Sequence, residues 1–255
     1  MIFIDTHSHL YAKEFTTDIE DAVLRAEAVS VKKILLPDID SKDRPNMMEL
    51  HKKYPEICLP MIGLHPTSVK EDYKNELAEI VKTISIHKFY GIGETGIDLY
   101  WDKTFLKEQI ESFEFQIELA LKHNLPIVIH ARKSLNEIFT ILKNHINKGL
   151  TGVFHCFPGT IQEAQKVVDM GFYIGIGGVV TYKNSTMADV VRHFSLEHIL
   201  LETDSPYLTP VPHRGKRNES SFIPIIAEFI ANLKFTNTAE VADATSANAV
   251  KLFQL

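Results

Sequence analysis

The sequence predicts an α/β protein folded as one (β/α)8 barrel, the TIM-barrel architecture, in a single domain over residues 1–255, and three observations carry that expectation. Apolar runs of strand length alternate with amphipathic helical patterns from one end of the chain to the other. Division of 255 residues by eight gives about 32 per unit, the size of one βα repeat. No Pro/Gly/Ser-rich linker and no shift of composition marks a domain boundary.

The elements follow in order. Ile2 to Asp5, Lys33 to Leu36 and Cys58 to Ile62 are the first three expected strands. Asp72 to Ile86 then reads as a helix, with Leu77, Ile80, Val81 and Ile84 on its apolar side. Tyr90 to Gly93 is the fourth strand. The clearest helix runs from Lys103 to His123, with Leu106, Ile110, Phe113, Ile117 and Leu121 on one stripe and Lys107, Glu108, Glu111, Glu114, Glu118 and Lys122 opposite. Asp102 is placed to cap its start, and Asn124 followed by Pro126 to end it. Pro126 to Ile129, Thr151 to Phe154, Phe172 to Ile176 and His198 to Leu201 complete the strands. Uninterrupted apolar character over so few residues suits parallel strands buried on both faces.

The composition, 45% hydrophobic and 24% charged, excludes a disordered or low-complexity chain. No stretch approaches the roughly 18 apolar residues of a membrane helix, and Met1 leads into Ile2-Phe3-Ile4 without a basic region or cleavage site. The expectation is a soluble cytoplasmic protein with no membrane partner, and nothing in the sequence calls for an obligate protein partner. Two cysteines, Cys58 and Cys156, cannot build a disulfide framework, which suits a reducing compartment. A net charge of −6 argues against a protein held on duplex DNA by its overall field, but not against an enzyme that grips a nucleic-acid end locally.

Residues able to bind metal gather at the expected strand ends. His7 and His9 follow the first strand, His65 the third, Glu94 the fourth, His130 the fifth, His155 the sixth and Asp204 the eighth. In such a barrel all strand C-termini meet on one rim, so these distant positions converge. In the extended segment Asp5-Thr6-His7-Ser8-His9, side chains at i and i+2 point the same way and can share one ion. His7, His9, Glu94, His130, His155 and Asp204 exceed what one tetrahedral ion uses and suit two divalent ions bridged by Glu94, with His7, His9 and Asp204 on one and His130 and His155 on the other. Such a pair keeps net positive charge, which favours an anionic phosphodiester. The ion types open to these ligands are Zn, Mg, Mn, Ni and Co.

Other signals are weighed beside these. Gly91-Ile92-Gly93-Glu94-Thr95-Gly96 fits G-x-G-x-x-G, but no helix follows and Glu94 would repel a pyrophosphate. Cys156 is expected to face away from His155, outside the barrel. Arg132, two beyond His130, is placed to hold a phosphate, with an ion pair to Glu94, Asp98 or Glu202 as its structural alternative. His65 on the rim suits contact with the phosphate or leaving group. Tyr100, Trp101, Phe157 and Tyr207 follow strand ends and suit either base stacking or loop packing. His213-Arg214-Gly215-Lys216-Arg217-Asn218-Glu219, the densest basic cluster, suits phosphate gripping by its place after the eighth strand, or else solubility. The role of His213 is open, and the other six histidines fall on expected helices or their ends.

Taken together, these segments resemble the TatD family of metal-dependent deoxyribonucleases, within the amidohydrolase-like barrel superfamily. The resemblance runs through Asp5-Thr6-His7-Ser8-His9-Leu10, Gly63-Leu64-His65-Pro66, Gly91 to Asp98, Pro126 to Arg132 and His155-Cys156-Phe157. It continues in Leu201 to Leu208, Arg214 to Glu219 and Thr245 to Ala249; Glu202-Thr203-Asp204-Ser205-Pro206-Tyr207 and the Arg214 segment are its most specific parts. Pro158 and Ser220 depart from the pattern in loops. The resemblance implies the same metal ligands and hydrolysis of phosphodiester bonds, as a 3′–5′ exonuclease on single-stranded DNA, with RNA a further substrate. The expected mechanism is a water activated by two metals, Asp204 accepting its proton, while Arg132 and His65 orient the phosphate and Glu94 bridges. The rival reading is an esterase or amidohydrolase, such as a D-aminoacyl-tRNA deacylase.

Overall fold

The structure, a computed structural model, describes residues 1–255, the side chain of Ile146 excepted. All eight expected apolar runs form strands: β1 (Phe3–Asp5), β2 (Val31–Leu36), β3 (Cys58–Pro60), β4 (Ile92–Asp98), β5 (Ile127–Arg132), β6 (Gly152–Phe154), β7 (Tyr173–Ile176) and β8 (Ile199–Leu201). The helices between and after them are α1 (Ile19–Ala28), α2 (Arg44–Lys53), α3 (Tyr73–Ile84), α4 (Leu106–His123), α5 (Leu135–Leu142), α6 (Ile161–Asp169), α7 (Met187–His193), α8 (Ile223–Lys234) and α9 (Thr238–Phe253). None, among the described residues, is long and apolar enough to cross a membrane.

Every neighbouring pair is parallel, in two arcs ordered β1-β2-β3 and β4-β5-β6-β7-β8. Backbone contacts close both seams into a barrel. At one seam Ile62 bridges Ile92, with Gly93 N donating to Ile62 O at 2.8 Å. At the other Ser8 bridges Ser205, Thr6 N donates to Leu201 O at 3.0 Å and Asp204 N to His7 O at 2.8 Å.

Side-chain alternation along the strands divides the core. Ile34, Leu36, Ile127, Ile129, Ile199 and Leu201 face the surrounding helices. Their neighbours Leu35, Val128 and Leu200 join Ile4, Leu59, Met61 and Val153 in a separate cluster inside the barrel. Leu252 and Phe253 of α9 complete that cluster, so the last helix plugs the barrel. Each large apolar side chain so buried contributes about 1.5–3 kcal/mol.

The structure extends the expectations in three places. A ninth helix follows the eighth unit. α4 begins at Leu106 because Asp102 Oδ1 accepts from Thr104 N at 2.8 Å and caps the preceding turn instead; Asn124, at φ 53°, ends the helix as expected. β4 runs to Asp98 and β5 to Arg132, past the end of their apolar runs. Their last residues stay in parallel register, Gly96 opposite His130 and Asp98 opposite Arg132. Gly96 has φ 136°, and a Cβ there would lie 2.1 Å from His130 O, so only glycine permits this approach. Polar residues and a glycine carry no apolar signal, which is why the pattern stops earlier than the strand.

Candidate metal centre

Beyond β1, Ser8 N donates to Leu35 O at 3.0 Å, which holds the chain between its two neighbours while the imidazoles of His7 and His9 turn together. Their Nε2 atoms lie 3.3 Å apart. Glu94 Oε2, from β4, is 3.1 Å from His7 Nε2 and 3.5 Å from His9 Nε2. Asp204 Oδ1, beyond β8, is 3.7 Å from each. Ligands at 2.0–2.1 Å from a tetrahedral ion stand about 3.3–3.4 Å apart, so this donor set fits one divalent ion.

The other carboxylate oxygen of Glu94 faces a second set. Oε1 lies 2.8 Å from His130 Nδ1, 2.9 Å from His155 Nε2 and 3.3 Å from His65 Nε2. One buried carboxylate thus presents one oxygen to each cluster, the disposition a bridging ligand needs. His155 also stacks on His7 with ring centroids 3.8 Å apart, between the two sets.

Burial would raise Glu94, but His155, His65 and His7 hold its carboxyl well below the usual range. Burial pushes His7 well below an ordinary imidazole and His65 below it, with Glu94 opposing the shift in both. It also works against charging His155 and His130, yet Glu94 and Glu202 raise the first well above an ordinary imidazole, and Asp98 and Glu94 raise the second. Asp204 is pushed up to about 6 by burial, with Glu94 and Glu202 adding to the effect against His155 and His9. Buried carboxylates that raise neighbouring imidazoles make an electrostatic environment suited to cations.

Hydrogen bonds on the far side of the His9 and His130 rings decide which nitrogen faces the centre, whereas among the described residues Nδ1 of His7 and of His155 has no such partner. Tyr11 Oη donates to Pro37 O at 2.5 Å, so its oxygen accepts from His9 Nδ1 at 2.9 Å and the lone pair of Nε2 points inward. Asp98 accepts from His130 Nε2 at 2.9 Å, leaving Nδ1 toward Glu94. Burial opposes its ionisation, but His130 and the amides of Tyr100 and Trp101 hold Asp98 down at about 2. His65 is held from the side of Thr67, whose N donates to Nδ1 at 3.1 Å and whose Oγ1 lies 2.6 Å from it, so that Nε2 faces Glu94. Its nitrogen also groups with Glu94 and His130 closely enough to share an ion.

The family model for TatD-related DNases matches residues 4–254. The chain belongs to that family. It is 39% identical to the Bacillus subtilis protein YabD, named as an uncharacterized metal-dependent hydrolase, over the whole of both chains. It is 31% identical to a protein of Citrobacter rodentium named 3′-5′ ssDNA/RNA exonuclease TatD, covering 98% of this chain and 97% of that one. The crystal structure of YjjV, a TatD homologue from Escherichia coli, superposes with a TM-score of 0.93 at 28% identity, covering 99% and 98% of the two chains. The protein is a metal-dependent hydrolase of the TatD family.

Around this TatD-type centre the remaining sequence candidates sort by environment. A cleft of about 570 Å³ opens from His130, His155 and Asp204 and is lined by Arg132, Cys156, Tyr182, Lys183 and Arg214 among others. Arg132 stacks its guanidinium on Tyr100 at 4.1 Å and lies 5.2 Å from Trp101. Among the described residues no carboxylate lies within ion-pair distance of it, so the alternative pairing with Glu94, Asp98 or Glu202 is not made. Cys156 lines the cleft and does not pack outside the barrel as expected: β6 ends at Phe154, and Cys156 at φ 41° breaks the alternation. Burial pushes its thiol well above the ordinary range, which makes it a poor nucleophile. Phe157 is buried in the core, whereas Tyr100, Trp101 and Tyr207 are exposed. His213 stacks flat on Phe222 at 4.7 Å.

Most of the basic segment after β8 braces the fold. Arg217 pairs with Asp18, Glu219 pairs with Arg25 of α1, and Asn218 Nδ2 donates to Thr203 O at 2.8 Å and Tyr207 O at 2.6 Å. Asp5 grips the same strand end, its Oδ1 accepting from Thr203 N at 2.9 Å and its Oδ2 from Thr203 Oγ1 at 2.6 Å. These bonds hold Asp204, at φ 57°, against His7.

Sequence reasoning passed over Tyr11 and named Asp98 and Glu202 only as possible ion-pair partners of Arg132. Glu202 accepts from Cys156 N, stands 3.7 Å from His155 Nδ1, and fits because a Cβ on Gly175 would lie 2.5 Å from its Oε2. Tyr11 follows His9 by two residues, and Asp98 stands two residues after Gly96; only the i+2 spacing of Tyr11 offered a signal. Tyr11→Phe is expected to weaken divalent metal binding by about 10–100-fold while the fold is kept, because the His9 ring loses its orienting acceptor. Chelator competition checks this; unchanged affinity would remove Tyr11 from the centre.

Proposed function

We propose that the protein is a two-metal nuclease that removes nucleotides from the 3′ end of single-stranded DNA, with RNA as a second substrate. The observation that carries the reading is the bridged ligand set opening directly into a cleft walled by Arg132, Lys183 and Arg214. The exonuclease name of the Citrobacter relative supports it. His7, His9, Asp204 and Glu94 would hold one divalent ion, and Glu94, His130 and His155 the other. When bound, the ions would supply Lewis acidity at the phosphoryl group and acidify a water.

The residues of the chain do the rest. The guanidinium of Arg132, freed from any carboxylate, binds the scissile phosphate and fixes it against the centre. Asp204, at the edge of the cleft, takes the proton of the attacking water as its oxygen bonds to phosphorus. The P–O3′ bond breaks, and His65 protonates the leaving oxygen. Glu94 stays ionised throughout and balances the cationic centre. A strand end enters such a rim more readily than an intact duplex, in keeping with the net charge of −6.

A 5′-fluorescent single-stranded oligodeoxynucleotide tests the reading. With Mg, Mn or Zn the label is expected to pass through a ladder shortening from the 3′ end, and chelator should stop it. An intact oligonucleotide alongside deacylated D-aminoacyl-tRNA would replace the nuclease with the esterase.

A further inference from the structure

We infer that Arg214 is a second phosphate-binding position, so that the cleft recognises a strand by two phosphates and not only the scissile one; the inference rests on the nuclease reading above. Arg214 belongs to the same basic segment as Arg217 but has a different fate. Arg217 is spent on Asp18 and Glu219. Arg214 is exposed, lines the cleft, and among the described residues has no carboxylate within ion-pair distance. Its guanidinium is held instead over the ring of Tyr182, 4.4 Å from the centroid. Stacking immobilises the planar fork while leaving its N–H groups free for an anion.

The support beneath it is rigid. Tyr182 Oη donates to Thr209 O at 3.0 Å, and Val211 N donates to Thr181 Oγ1 at 2.9 Å, tying the loop that carries Arg214 to the loop after β7. Arg132 is pinned on the other wall by Tyr100. The first cation ends β5 and the second follows β8, three strands apart on the rim. Two unpaired, stacked guanidiniums thus line one cleft, each with N–H groups free for a phosphate. Lys183, on the loop that carries Tyr182, adds charge to the second wall.

The test compares Arg214→Ala with wild type on oligothymidylate and on bis(4-nitrophenyl) phosphate, which has one phosphate. The KM for oligothymidylate is expected to rise about tenfold, with kcat/KM for the small diester kept within about twofold. In chelator, anisotropy of labelled oligothymidylate should show weaker binding, with the slope of log K against log salt reduced by about 0.7, the loss of one single-strand phosphate contact. Arg214→Lys should restore part of the affinity, and Lys216→Ala, outside the cleft, should change neither readout. Unmoved KM and salt slope in Arg214→Ala, or equal losses on both substrates, overturn the inference while the nuclease reading stands. A wild-type enzyme that cleaves the small diester yet neither binds nor cuts the oligonucleotide overturns both.

Discussion

Glu94→Gln is expected to empty both metal positions together and to lower turnover by on the order of 10³-fold or more. The reason is geometric. Glu94 Oε2 faces His7 and His9 while Oε1 faces His130, His155 and His65, so one substitution removes the anion common to both sets. A glutamine keeps the volume but offers a neutral oxygen to one cluster and an N–H donor to the other. Loss of several kcal/mol of charge stabilisation at the reacting phosphate converts to a rate loss of that size. Elemental analysis of the purified variant should show a fall in bound metal, with the circular dichroism spectrum retained. Full metal content with turnover within about tenfold of wild type would refute the bridge.

Asp204→Asn should behave differently. The residue sits at φ 57°, a conformation Asn tolerates as well as Asp, so the backbone at the end of β8 is kept. The second set, built on Glu94, His130 and His155, keeps its donors, and the cleft keeps Arg132 and Arg214. Metal content is therefore expected to fall only in part, and the KM for oligonucleotide to hold. The kcat should drop by about 10²–10⁴-fold, since the proton of the attacking water loses its acceptor. Near-normal kcat would pass the role of base to another group. The contrast between the two variants, complete against partial metal loss, tests the bridge independently of the proposed substrate.

Much of this candidate centre is legible in the chain because each proposed ligand stands at or just past an apolar strand run. The structure brings His7, His9, His130 and His155 against Glu94, with Asp204 Oδ1 3.7 Å from His7 and His9. The supporting groups were not legible for a physical reason. Asp98 lies in a part of β4 whose pairing depends on backbone and on Gly96, and Glu202 lies in a pocket created by the missing side chain of Gly175. Neither leaves a pattern in hydrophobicity. The basic segment after β8 is only partly legible: its charge density suggests a phosphate grip, yet Arg217 is spent on Asp18 and Glu219 on Arg25 of α1, and Arg214 alone of the segment lines the cleft.

Strand number, strand order along the chain and the convergence of the six candidate ligands on one rim follow from local burial patterns, because a buried parallel strand must be apolar over consecutive residues whatever surrounds it. The orientation of the His9 and His65 rings depends on Tyr11, Pro37 and Thr67 meeting them in space. So does the fate of each arginine. Hydrogen bonds and ion pairs act over about 3 Å between residues that can be 200 positions apart, as with Arg217 and Asp18, and only closure of the barrel decides which of them meet.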